Sequence, residues 1–123
     1  MVERLRKRRD FLAAAKSKKA AQRAFVLQAR PRGDDNAPRF GFTISKRVAA
    51  KAVERNRIRR RLKEAVRQVA PHHARRGTDY VLIGRRAALN EPFTDIAAAL
   101  HVALRETASP AAGAARSQAQ RPR

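Results

Sequence analysis

Apolar positions in residues 53–69 recur with a helical period. Ile58, Leu62, Ala65, Val66 and Val69 fall at i, i+4, i+7, i+8 and i+11, one stripe of an amphipathic helix. Most other positions are cationic: Arg55, Arg57, Arg59, Arg60, Arg61, Lys63 and Arg67, against only Glu54 and Glu64. Such a helix docks on a core through one side and presents guanidinium groups on the others.

On either side of this helix the period drops to two. Residues 24–30 alternate Phe25, Leu27 and Ala29 against Val26 and Gln28, which predicts a strand. Residues 39–45 alternate Phe40, Phe42 and Ile44 against Gly41, Thr43 and Ser45. The second set is small and hydroxyl-bearing. It either meets water, the simpler reading, or lets an extended polynucleotide lie close to the sheet. Between the two strands, residues 31–38 carry Gly33, Asp34, Asp35 and Asn36 between two prolines and predict a loop. Thr78–Gly84 is the most apolar run, as a central strand requires.

The helix signals are local. Asp10 is placed to cap a short helix over residues 10–19, anchored by Phe11 and Leu12. Pro71 is expected to end the central helix after a last turn at residues 68–70. Asn90 is expected to cap a final helix with Pro92 in its first turn and Phe93, Ile96, Leu100, Ala103 and Leu104 buried. Periodicity stops at Thr107. The expected organisation is one domain over residues 1–107 and a disordered tail over 108–123. Helix, strands, helix, strand and helix make an α+β layer of helices covering a small sheet.

Composition sharpens this picture. The 123 residues suffice for one modest core. Thirty Lys+Arg against ten Asp+Glu give a formal net charge of +20. A chain this cationic repels itself and favours a polyanion, and arginine forks match phosphate oxygens bidentately. Cysteine is absent, which excludes a disulfide framework and a cysteine zinc site. No apolar run is long enough to span a bilayer, and no apolar signal core follows the basic N-terminus before Asp10. The expectation is a cytoplasmic protein with no membrane partner.

The supply of catalytic groups is thin. His72 and His73 are adjacent beside a helix end, and His101 sits near the stripe of the last helix, where packing is its expected role. Asp34 and Asp35 have no third carboxylate nearby and read as a solvated turn rather than a cation site. Glu54 and Glu64 lie among arginines and are expected to form ion pairs, Arg60 with Glu64 at i, i+4. There is no Ser/His/Asp arrangement, no Gly-rich phosphate loop and no metal-spaced histidine cluster. The residues therefore indicate a binder of RNA or DNA acting through charge and shape, with no catalytic or metal-binding residue of its own.

The stretch Phe42-Thr-Ile-Ser-Lys-Arg-Val48, followed by Arg55-Asn-Arg-Ile-Arg-Arg-Arg-Leu-Lys-Glu64, resembles the protein subunit of bacterial ribonuclease P. The resemblance runs over residues 5–107 and includes Asp10-Phe11, Phe25-Val-Leu27, Asp79-Tyr-Val-Leu-Ile83 and the closing helix. It implies an α/β sandwich: a mainly four-stranded sheet, about three helices and a left-handed βαβ crossover, against the usual hand. It also implies a subunit that binds a large catalytic RNA and the 5′ leader of precursor tRNA and assists endonucleolytic removal of that leader. In such an enzyme the RNA carries the hydrolysis with bound Mg²⁺, and no obligate protein partner is implied.

By position, the resemblance assigns Lys46, Arg47, Arg55, Asn56, Arg57, Arg59, Arg60 and Lys63 to RNA contact, helped by free backbone N–H groups where the helix begins. It assigns Phe11, Val26, Gln28, Thr43 and Ser45 to a leader cleft, which turns the small face of the second strand from solvent-facing to functional. Phe25, Phe40 and Phe42 go to the core. Ala15 and Gln28 stand where the family pattern favours aromatics, so leader binding is expected to rest more on charge and hydrogen bonds. A non-catalytic RNA-binding protein, ribosomal or chaperone, fits the composition equally well. The combined Ser-Lys-Arg and Arg-Asn-Arg pattern favours the ribonuclease P subunit, and a stand-alone nuclease is disfavoured by the missing acid–base groups.

Overall fold

The computed structural model describes residues 3–108. The elements in chain order are β1 (Glu3–Arg4), α1 (Arg8–Ala15), β2 (Lys18–Ala21), β3 (Phe25–Pro31), β4 (Arg39–Thr43), α2 (Ala52–His73), β5 (Thr78–Gly84), a 3-10 turn at Arg86–Leu89, and α3 (Phe93–Ala108). They form one five-stranded sheet in the order β1-β4-β5-β3-β2. That is one strand more than the four the resemblance implied, and the two flanking strands, β1 and β2, are the ones the residue pattern did not mark. Glu-Arg and Lys-Lys-Ala-Ala carry no large apolar residue to mark a buried face. β5 is central, antiparallel to β3 and parallel to β4, and α2 links the parallel pair.

The main core lies between one sheet face and the helices α2 and α3. Phe25, Leu27, Phe40, Tyr80 and Leu82 meet Ile58, Leu62, Ala65 and Val66 of α2 and Ile96, Leu100, Ala103 and Leu104 of α3. The predicted stripes of both helices are therefore the docked faces. Gly84 lets α2 come this close: a Cβ there would lie 2.8 Å from Ile58 and 2.7 Å from Ile44. The other sheet face carries a smaller cluster in which Leu5, Ala14 and Val81 are joined by Phe11 and Ile83.

Element ends depart from expectation for identifiable reasons. Asp10 is no cap. Helix α1 starts at Arg8 after Lys7, and the Asp10 carboxylate instead faces Arg30 at 3.7 Å and Arg39 at 3.5 Å. The helix also stops at Ala15, where Ser17 donates its hydroxyl to the Ala13 carbonyl and the chain turns into β2. Pro71 lies inside the last turn of α2, which runs on to His73. Proline forfeits only its own N–H this near the end, and Ala74 N–H closes the turn on Ala70 at 2.8 Å. Asn90 belongs to the preceding 3-10 turn, and the Pro92 carbonyl receives the first N–H groups of α3, from Asp95 and Ile96. Thr107 and Ala108 complete α3 rather than start a tail, with the buried Thr107 hydroxyl donating to Ala103 at 2.9 Å. The rest of the predicted tail lies outside the described residues.

One buried carboxylate ties these layers together. Asp79, on β5, is 0% exposed. It lies in register with Arg30 of β3 and Arg39 of β4. Arg39 grips it bidentately, with Nε to Oδ1 and Nη2 to Oδ2 both at 2.8 Å. Arg32 Nη1 reaches Oδ1 at 2.6 Å and Arg30 Nη1 reaches Oδ2 at 3.4 Å. Arg32 also spans the 31–38 loop, donating to both Asp34 oxygens and to the Ala37 carbonyl at 3.0 Å each. Removing one member of such a set leaves uncompensated charge in a dry site. Asp79→Ala is expected to lower stability by about 3–5 kcal/mol, read as a fall in the urea midpoint at unchanged slope. A loss below about 1 kcal/mol would show that the arginines find other partners.

Candidate nucleic-acid interface

The docked stripe of α2 fixes which cations face outward. Asn56, Arg57, Arg60, Lys63 and Arg67 are exposed along the outer side of the helix. Among the described residues, Arg57, Arg60 and Lys63 have no hydrogen-bond or ion-pair partner. Arg59, half-buried at one flank, donates to Asn56 Oδ1 at 3.3 Å. The expected Arg60–Glu64 pair does not form. Arg67 clasps Glu64 from the next turn, through Nε at 2.9 Å and a second, shorter contact, and Gln68 adds a bond at 2.8 Å. That leaves Arg60 unneutralised and draws Arg67 aside.

Two cations of the helix point the other way. Arg61 donates to the carbonyls of Ala88, Leu89 and Glu91 at 2.8, 3.1 and 2.6 Å. It binds α2 to the segment before α3. Arg55, assigned to RNA by position, holds the connector: its Nη1 donates to the carbonyls of Ala49 at 2.9 Å and Ala50 at 2.8 Å. Arg86 steadies the same segment through Val48 and Glu54. Lys46 and Arg47 are exposed in the turn after β4. Ser45 sets that turn, accepting Val48 N–H on its hydroxyl at 3.2 Å and Ala49 N–H on its carbonyl at 3.2 Å. These bonds give the connector a defined path and bring Lys46 and Arg47 to the approach of α2.

The proposed cleft residues divide. Strand register sets two rows on the second sheet face, Gln28–Val81–Gly41 and Val26–Ile83–Thr43. Helix α1 covers the first row. Phe11 presses on Gly41 so closely that a Cβ there would lie 2.4 Å from its ring, and Gln28 is only 6% exposed. The second row stays open, with Val26 and Ile83 half-buried and Thr43 exposed. Phe11, Val26 and Thr43 thus border one open surface, Gln28 lies in the covered row, and Ser45 has left the sheet for the connector turn. Phe25 and Phe40 are buried as expected, while Phe42 is packed on the core but partly open.

The histidines stand apart. His73 stacks on His101 with ring centroids 3.9 Å apart, at the far end of α2 and about 24 Å along its axis from Arg57. Desolvation, and then the two neighbouring histidines, push the His73 pKa below its usual value.

Ribonuclease P is the family whose model matches this chain, over residues 2–108. The chain belongs to the ribonuclease P protein family. The ribonuclease P protein component of Paramagnetospirillum magneticum is 49% identical over 108 residues, covering 80% of both chains. That of Ruegeria pomeroyi is 46% identical over 109 residues, covering 86% of both. The solved ribonuclease P protein from Thermotoga maritima superposes with a TM-score of 0.70 at 30% identity, over 84% of this chain and 96% of that one. Ribonuclease P is a ribonucleoprotein endoribonuclease, and chains of this family are its protein subunit. Among the described residues no helix is long and apolar enough to cross a membrane.

Two acidic side chains, one on α2 and one in the 31–38 loop, are held by arginine. Arg32, and then the Asn36 N–H, lower the Asp34 pKa to about 2; Arg67, and then Gln68, lower that of Glu64 to about 2. Both folded values lie below the unfolded carboxylate range. The stabilising contribution of each pair is therefore present above about pH 4 and lost as pH falls toward 2. Carboxyl carbon shifts followed by NMR should titrate near pH 2 at both positions. A midpoint near 4 at either would mean that its ion pair does not persist in solution.

Proposed function

We propose that this chain binds the catalytic RNA subunit of ribonuclease P along the outer face of α2 and its connector. We further propose that it receives the 5′ leader of precursor tRNA on the open sheet face and so assists endonucleolytic removal of the leader to give the mature 5′ end. One observation carries the reading: in a chain of this family, Arg57, Arg60 and Lys63 stand exposed and unpaired on a helix that is pinned to the core by its opposite side. Leaving like charges unneutralised on a rigid face costs stability, and phosphate offsets that cost.

The roles follow from the groups present. Arginine stays protonated and donates in a fixed fork, so Arg47, Arg57, Arg59 and Arg60 offer phosphate a preset geometry, with Lys46 and Lys63 as mobile point charges beside them. Asn56 adds an amide able to donate and accept. Arg55 acts from within, by holding the connector that carries Lys46 and Arg47. On the sheet, Val26 and Ile83 provide an apolar floor, Thr43 a hydroxyl and Phe11 an aromatic wall for a single strand. Magnesium, held by the RNA subunit, supplies water activation and charge stabilisation. This chain is ill-suited to hold it: Asp10, Asp34, Asp79, Glu54 and Glu64 all face arginines, a donor set for ion pairs rather than a magnesium shell. The added positive potential instead lowers the magnesium concentration at which the RNA works. A cytoplasmic setting goes with this role.

Adding the purified chain to a cognate catalytic RNA and precursor tRNA at low magnesium should raise the rate of 5′ cleavage; absence of stimulation would sink the reading, and cleavage without RNA would assign the chemistry to the protein. Affinity for the RNA should fall steeply with salt. Arg57→Ala should weaken assembly, raise the magnesium requirement and flatten the log–log salt slope by about 0.7–0.9, the value of one phosphate contact. An unchanged slope would remove Arg57 from the interface.

A further inference from the structure

The sheet has an unfinished edge. β1 pairs with β4 only at Arg39 and Phe40, and Leu5 N–H closes the ladder on the Phe40 carbonyl at 2.8 Å before the chain leaves for α1. Glu3 N–H takes the Pro38 carbonyl at 2.8 Å. Strand alternation then points the N–H and C=O of Phe42 to the same side, where no strand of the described residues meets them. Two phenylalanines flank this gap. Phe11 rests on Gly41 from one sheet face, and Phe42 projects from the other. Both are only partly buried, although rings of this size are usually covered or used. Between them and Val66 lies a cavity of about 310 Å³. Its rim carries Arg59, Lys63 and Arg67, at i, i+4 and i+8 on α2.

We infer that this cavity is a socket for one unstacked nucleobase of an RNA strand whose backbone runs along Arg59, Lys63 and Arg67. Aromatic walls suit a base face. A paired backbone donor and acceptor at Phe42 suits a base edge, and the cations suit the flanking phosphates. An acyl chain would leave Arg59 and Lys63 without an anion, and a neutral peptide strand would do the same. The socket is separate from the open row at Val26, Ile83 and Thr43, with only Phe11 standing between the two. The inference rests on the reading that α2 meets RNA and adds to it a pocket that grips a base.

The test compares two probes on the full chain: an oligoadenylate, and a ribose-phosphate chain of equal length without bases. The intact chain should prefer the base-bearing probe by about 5- to 100-fold. Phe42→Leu keeps the apolar contact with the core and removes the ring; it should abolish most of that preference while leaving the salt slope unchanged. Equal binding of the two probes by the intact chain overturns the socket and leaves the phosphate reading standing. A preference that survives Phe42→Leu moves the base to the other face and also overturns it. Failure of both probes to bind refutes the socket together with the RNA reading beneath it. Photocrosslinking a 4-thiouridine oligomer to the unaltered chain needs no variant: crosslinks at Phe42 or residues 3–5 support the socket, and crosslinks confined to Phe11, Val26, Gln28 and Thr43 refute it.

Discussion

A single carboxylate with no exposed surface sets the frame of this molecule. Asp79 sits in the middle strand of the sheet and holds arginines from β3, from β4 and from the loop between them. Two of those arginines also meet Asp10, which brings α1 onto the same anchor. In a chain with so few acids, an aspartate placed here aligns β3, β4 and β5 at one end of the sheet. The apolar packing of α2 and α3 occupies the opposite face of the sheet, where Gly84 admits Ile58 of α2. Once both faces are held, the outer side of α2 has little further to do for the fold, and among the described residues its Arg57, Arg60 and Lys63 stay free of partners.

The division of the arginines is the second organising fact. By composition they are one population, yet they fall into two groups with opposite roles. Arg30, Arg32, Arg39, Arg55 and Arg61 turn inward to carboxylates and carbonyl oxygens. Arg57 and Arg60 stand in water. The inward set fastens strands, connector and helix segments that have too little apolar surface to hold themselves. The outward set is left on a helix held to the core by its other side, as the proposed phosphate-binding face requires.

Much of this was readable beforehand. The period of residues 58–69 identified the buried side of α2, and the unbroken apolarity of Thr78–Gly84 placed β5 at the centre of the sheet. The resemblance carried by Ser45-Lys46-Arg47 and Arg55-Asn56-Arg57 agreed with the family comparison. What escaped were choices between partners. Asp10 had a capping reading from local spacing, but two arginines distant in sequence outbid a single backbone N–H. Glu64 had Arg60 at i+4 spacing but took Arg67 and Gln68 from the following turn. Arg55 and Arg61 looked like their neighbours because nothing local marks a guanidinium that reaches a carbonyl six or thirty residues away. β1 and β2 went unseen because edge strands need no hydrophobic face.

The shortness of β1 has a consequence for how copies of this chain treat one another. An unpaired strand edge ordinarily invites a second edge to join it, the first step toward aggregation. Here a copy that joined that edge about a two-fold axis would bring its own Arg59 and Lys63 toward the same residues of its neighbour. Charge repulsion thus guards a site that geometry leaves exposed, and it does so only while the charge is unscreened. A polyanion bound along α2 would remove that repulsion and cover the edge in the same step, so the bare edge is protected from self-association both before and after assembly.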